Sequence, residues 1–258
     1  MAEINFFILN SKKFLDHIPE LEYTNMSITS NYQKLRKEIP DHVTIVLAGK
    51  TKSAEEIKEV IDAGATDIGE NYVQEAETIR QELGDKANKV RWHMIGHLQK
   101  NKINKALPIF DVIQTVDSLK KAGDIDKRVE KAGKEIIPIL IEVNIGNEDS
   151  KTGLKPEELE PFEEYMDQFV SDMSKFKHLR VEGIMTMGPR FGNAEDSRPY
   201  FRRTKNIFDK LKEDINLPHV DMKYLSMGMS NSYKVAIEEG SNMVRLGTIV
   251  FGKREYTK

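Results

Sequence analysis

The residues with the clearest chemistry fall at intervals along the chain, each at the end of an apolar run. Lys50 closes the run VTIVLAGK, between Gly49 and the opening of a helix. A lysine there is either a plain cation or, when unprotonated, a nucleophile toward a carbonyl carbon. Asn71 follows a second run, Met185 and Thr186 another, and Ser226-Met227-Gly228 another. Arg245, Gly247 and Thr248 end or follow the last. Glycines let backbone N–H groups approach an anion, and Ser226 and Thr248 add hydroxyl donors, so the pattern suits a phosphate. Ser230 is placed to start the next helix, whose N-terminus also favours an anion. The pattern contains no carboxylate pair for acid–base work. His93 and His97 are four apart but straddle a strand end. They read as a strand histidine and a loop histidine rather than a zinc pair, with no third ligand evident.

The elements that must carry these residues alternate. Val43, Ile45, Val46 and Leu47 suit a buried strand, and Ser53-Ala-Glu-Glu56 is a capping-box signature that starts a helix. Further strands are expected at 65–68, 90–95, 110–114, 136–143, 179–184, 222–225 and 243–246. Helical faces lie between them: Ile57, Val60 and Ile61; Val73 to Leu83; 98–106; Leu119 to Val129; Leu159 to Phe169; Tyr200 to Leu211; and Tyr233 to Ile237. Eight strand–helix alternations imply parallel strands with helical crossovers. With 258 residues, the expected fold is α/β, a single (β/α)8 TIM barrel forming one domain over 1–258. Residues 1–40 form a helical N-terminal extension, interrupted at Pro19 and ending near Pro40, with Ile28, Tyr32, Leu35 and Ile39 on one face. In such a barrel, ligands bind on the loops after the strands, and phosphate after strands seven and eight.

Bulk properties narrow the function. The net charge of −3 argues against a nucleic-acid surface. The absence of cysteine excludes disulfides, thiol catalysis and cysteine-bound metal. No apolar run approaches the roughly 20 residues needed to span a bilayer, and the first residues lack a secretory pattern, so a cytoplasmic location is expected. Lys100, Lys102 and Lys105 read as a solvated helix surface. Met185, Met187, Met227 and Met229 flank the site and offer an apolar wall.

The motifs AGKTK (48–52), GENYVQE (69–75), WHMIGHLQKNK (92–102), EGIMTMG (182–188) and LSMGMSNSYKVAIEEGSNMVRLGTIVFG (225–252) together resemble those of the pyridoxal 5′-phosphate (PLP) homeostasis proteins, from about residue 25 to 253. The chain departs from that pattern at Gly49, where serine is usual, and at Asn231-Ser232, where an aspartate is usual. The resemblance implies a barrel similar to the N-terminal domain of alanine racemases. It implies that Lys50 holds PLP as a Schiff base, that Ser226, Gly228, Gly247 and Thr248 hold the phosphate, that Arg245 faces the pyridine nitrogen, and that Asn71 and Met185 line the ring. It further implies a role in vitamin B6 homeostasis, buffering PLP or passing it to apo PLP-dependent enzymes. The alternative is a weak alanine-type racemase. The racemases take their second base, a tyrosine, from another domain. Only ten residues follow Thr248, so that domain is expected to be absent and the protein to be a monomer. Tyr72 and Tyr233 are the candidate replacements. A third reading is a barrel for another phosphorylated metabolite, with Lys50 as a plain charge.

Overall fold

A computed structural model describes residues 26–188 and 193–252. Eight parallel strands close into a barrel in sequence order: β1 (Thr44–Ala48), β2 (Asp67–Glu70), β3 (Arg91–Met94), β4 (Val112–Val116), β5 (Ile137–Glu142), β6 (Leu179–Met185), β7 (Val220–Ser226) and β8 (Met243–Leu246). The barrel closes where β1 pairs with β8, Val46 opposite Arg245. The crossover helices are α2 (Ala54–Asp62), α3 (Val73–Leu83), α4 (Ile103–Ala106), α5 (Leu119–Val129), α6 (Phe162–Met173), α7 (Arg198–Asp214) and α8 (Tyr233–Glu238), and α9 (Thr248–Phe251) follows β8. The expected (β/α)8 barrel is therefore the observed fold.

An additional helix, α1 (Ile28–Glu38), precedes the barrel. Its Ser27 side chain accepts from Ser30 N–H and caps it. Tyr32 and Leu35 bury its inner face, and Asn31 Nδ2 donates to the Val250 carbonyl at 3.1 Å. Arg36 bonds the carbonyls of Val43, Ile39 and Pro40, which fixes the entry into β1. The expected break at Pro19 lies outside the described residues. The capping box forms as expected: Ser53 Oγ accepts from Glu56 N–H, and Glu56 Oε2 accepts from Ser53 N–H at 2.8 Å.

The elements differ from expectation where single residues were decisive. β2 runs two residues later than 65–68, so Gly69 and Glu70 belong to the strand. Gly69 is no strand breaker; a Cβ there would press on Ile95 and Val46, each 2.8 Å away, so the barrel wall needs its bare backbone. The span 98–106 is helical only in part, a 3-10 turn at Lys100–Lys102 followed by α4. α6 starts at Phe162, after a separate 3-10 turn at Pro156–Glu158.

Two apolar layers result. The larger lies between strands and helices and includes Trp92, Phe110, Phe162 and Phe201. The smaller joins Val46, Leu140, Met185 and Met243, side chains of β1, β5, β6 and β8 that face the barrel interior. The register shifts between β6 and β7 at Gly183, opposite Tyr224. Gly183 has φ +150°, and a Cβ there would overlap the Tyr224 carbonyl oxygen and stand 2.7 Å from its carbon. Gly183→Ala is therefore expected to cost about 3 kcal/mol, read as a lowered urea midpoint. A midpoint within error of the parent would show that the strand pair yields without cost.

Candidate functional site

The C-terminal ends of β1, β2, β7 and β8 surround a cavity of about 380 Å³. Lys50 enters it from the turn after β1. That turn is tight: Lys52 N–H bonds the Gly49 carbonyl at 2.9 Å, and Thr51 adopts a left-handed φ of 66°. Arg245 lies at the inner end of the cavity, 6% exposed. Asn71 and Ile95 form one wall, and Met187 and Met229 supply apolar surface. Ser230, Asn231, Gly247 and Thr248 close the remaining side. Lys50 and Arg245 are the only titratable side chains among these lining residues.

Arg245 is held by oxygen acceptors alone. Its Nη1 donates to the Ser226 carbonyl at 2.9 Å and to Ser226 Oγ at 2.7 Å, and its Nη2 to the Thr186 carbonyl at 2.8 Å. Burial pushes its pKa down to about 10, opposed by the Glu142 charge, so it remains a cation at neutral pH. Glu142 itself is pushed up by burial, only partly offset by the hydrogen bond from Thr152.

The sequence-derived residues divide between cavity and support. Lys50, Asn71, Arg245, Gly247 and Thr248 line the cavity. Ser226 is fully buried, with its hydroxyl between Gln114 and Arg245. Gly228 packs behind the loop, where a Cβ would collide with Ala236, and its carbonyl accepts from Arg245 N–H at 3.0 Å. Met185 and Met227 are buried in the two apolar layers, whereas Met187 and Met229 reach the cavity. Ser230 does not begin α8, whose N-cap is Ser232. Instead Ser230 Oγ accepts from the Gly247 and Ile249 amides at 3.2 and 3.4 Å, tying the loop after β7 to the turn after β8. Asn231 also lines the cavity.

The two histidines part company. His93 is buried inside the barrel, Nε2 at 2.8 Å from Asp67 and Nδ1 at 2.9 Å from Gln114. His97 is exposed in a separate pocket with Tyr72 and Lys102. Gln114 went unnoticed in the sequence. Its signal was a lone amide inside the apolar run of β4.

A lysine, a buried arginine and loop amides and hydroxyls thus meet at one mouth of the barrel. A sequence model described as the N-terminal domain of alanine racemase matches residues 25–255. Proteins named pyridoxal phosphate homeostasis protein are similar along most of their length. That of Aquifex aeolicus is 39% identical over 81% of this chain and 86% of its own. Those of Escherichia coli K12 and Homo sapiens are 37% and 34% identical, over 85% and 83% of this chain and 89% and 78% of theirs. The chain belongs to the pyridoxal phosphate homeostasis protein family, within the alanine racemase N-terminal domain class. Among solved structures, PipY of Synechococcus elongatus PCC7942 with PLP bound superposes with a TM-score of 0.77 at 29% identity, over 88% of this chain and all of PipY. An alanine racemase of Clostridium difficile 630 shares the fold, with a TM-score of 0.69 at 16% identity over 90% of this chain and 58% of its own.

Proposed function

We propose that this protein holds PLP as a Schiff base on Lys50 and serves vitamin B6 homeostasis by buffering PLP or delivering it to apo-enzymes. The observation that carries the reading is the meeting of Lys50, Arg245 and the Ser230–Gly247–Thr248 loop pair on one cavity. The residues fit the cofactor by chemistry. An amine bonds the aldehyde. A buried cation faces the ring nitrogen. The Thr248 N–H and the hydroxyls of Thr248 and Ser230 receive the phosphate, with Gly247 tying its amide to Ser230 Oγ, while Asn71 and Met187 flank the ring. Met185, Ser226 and Gly228, which the family resemblance places beside the ring and phosphate, act in this reading from beneath, by holding Arg245 and the loop.

Bound PLP supplies a reactive aldehyde and an electron-withdrawing ring. The chain's own residues decide how much of that is used. Arginine does not readily give up a proton, so Arg245 leaves the ring nitrogen unprotonated and weakens its pull on electrons. That favours storage over strong carbanion stabilisation. The relatives' names and the PLP bound in PipY support the same reading.

The test is a visible absorption spectrum of purified protein with PLP, then borohydride reduction and peptide mapping. A band characteristic of a Schiff base, fixed onto Lys50 and absent in Lys50→Ala, is expected. No uptake of PLP defeats the cofactor. Uptake with no reducible bond to the chain leaves Lys50 as a plain charge.

A further inference from the structure

A line of buried polar side chains runs from the cavity's inner end to the opposite mouth of the barrel. Ser226 Oγ lies 2.8 Å from Gln114 Oε1, Gln114 Nε2 lies 2.9 Å from His93 Nδ1, and His93 Nε2 lies 2.8 Å from Asp67 Oδ1. The four come from β7, β4, β3 and β2, and none is more than 5% exposed. Buried polar groups carry a desolvation cost unless satisfied, and such networks are retained only when every member is paired. Here each link is made. We propose that Asp67, His93, Gln114 and Ser226 are positioning residues: a relay whose fixed hydrogen-bond polarity holds the Arg245 guanidinium at the cavity as a cation with only neutral acceptors, and thereby sets the electronic state of the ring bound there. The proposal rests on PLP as the ligand.

The polarity follows from donor counts. Arg245 can only donate. Ser226 Oγ therefore accepts from it and sends its own hydrogen to Gln114 Oε1. The Gln114 amide nitrogen then has two hydrogens for two acceptors, Met243 Sδ at 3.3 Å and His93 Nδ1. With Nδ1 accepting, the imidazole hydrogen sits on Nε2 and is donated to Asp67. Burial opposes ionisation of Asp67, but the hydrogen bond from His93, the charge of that ring when it is protonated, and the hydrogen bond from Thr66 outweigh it and hold its carboxyl below the usual range. Arg91, 4.0 Å away, adds its charge. The carboxylate thus lies at the far end of the relay, and a chain of neutral groups separates it from Arg245. Glu142 acts on Arg245 only through space.

Gln114→Glu tests this with a change of one atom. A carboxylate accepts at both oxygens, so His93 must carry hydrogens on both nitrogens to bridge it and Asp67. In apo-protein labelled with 15N, the wild-type His93 is expected to show a bare Nδ1 and a hydrogen-bearing Nε2, and Gln114→Glu to show both protonated. In holo-protein, the pH transition of the cofactor's visible spectrum is expected to move by about one unit or more in Gln114→Glu, because the ring then faces a partly compensated cation. Ser226→Ala is expected to lose about tenfold in PLP affinity, with Ser226→Thr restoring most of it. This pair carries the comparison if Gln114→Glu does not fold. The opposite His93 tautomer in wild type, a Gln114→Glu spectrum that superimposes on wild type at every pH, or equal affinities for the Ser226 variants would each overturn the relay. If wild type takes up no PLP, the cofactor reading fails, and the His93 resonances still decide the hydrogen-bond polarity on their own.

Discussion

Holo-protein given L-alanine in deuterium oxide is expected to racemise it about 10²–10⁴-fold more slowly than an enzyme with a base on each face of the α-carbon. Lys50 can serve one face. The opposite face needs a second group of suitable pKa within hydrogen-bond reach. Neither tyrosine singled out by the sequence meets that need. Tyr72 is 59% exposed and faces the neighbouring pocket beside His97. Tyr233 is buried, with its hydroxyl donating to Glu38 Oε2 at 3.3 Å, behind the cavity wall. The lining residues among those described offer Asn71, Ser230, Asn231 and Thr248, none of which titrates near neutrality. Arg245 is committed to three acceptors. Proton NMR of the α-hydrogen and chiral chromatography give the two rates separately. Slow exchange without inversion is the signature of a single base. Inversion at the rate of a two-base racemase, lost in Lys50→Ala, would overturn the carrier reading.

What the sequence disclosed follows from how local each signal is. The strand–helix rhythm is local, and the eight strands lie close to the eight apolar runs. Lys50 was legible because a strand, a glycine and a capping box are contiguous, and the capping box formed as read. The expected end of β2 at residue 68 fell short because a glycine within a strand and a glycine after one are identical in one dimension; only the approach of Ile95 and Val46 to Gly69 separates them. Ser230 was read as opening the helix downstream of it, but its acceptor role is set by amides at Gly247 and Ile249. The polar relay was hidden more deeply. Ser226 and Gln114 are 112 positions apart, and barrel closure alone brings β4 and β7 face to face. A histidine, a glutamine and an aspartate in apolar runs were the available sign, since such residues are buried only when paired.

Stability of the protein is expected to fall as pH rises from about 4.5 to 8, and Glu70→Gln is expected to abolish that component. Glu70 is fully buried at the end of β2; neither carboxyl oxygen has a well-formed hydrogen bond, and only the Asn71 backbone amide leans toward it. Burial, and then repulsion from Glu75, push its pKa from 4.5 up to about 8; the Asn71 amide and the Lys50 charge oppose this only in part. Between those two pH values the native chain keeps a proton that the unfolded chain has released. The unfolded state binds fewer protons there, so unfolding becomes easier as pH rises. The full linkage amounts to roughly 5 kcal/mol, and with local relaxation around the carboxyl we expect about 2–4 kcal/mol between pH 5 and 9. Glutamine reproduces the neutral carboxyl but not its ionisation. Comparing urea midpoints of variant and wild type at each pH cancels the contribution of other groups, Glu142 included. The variant should be equal or slightly weaker at pH 5, since its amide gains no acceptor, and clearly stronger at pH 9. Gly49 belongs to the same arrangement. A Cβ there would collide with Glu70 Oε1 and stand 2.8 Å from Ile57 Cδ1. The carboxyl thus occupies the space beneath the Lys50 turn that a serine side chain would need. With no side chain on Gly49, the neutral carboxyl packs directly under the turn that presents the lysine. Parallel pH profiles for Glu70→Gln and wild type would mean that the carboxyl is ionised and paired in solution, and that this coupling of Gly49 to Glu70 is absent.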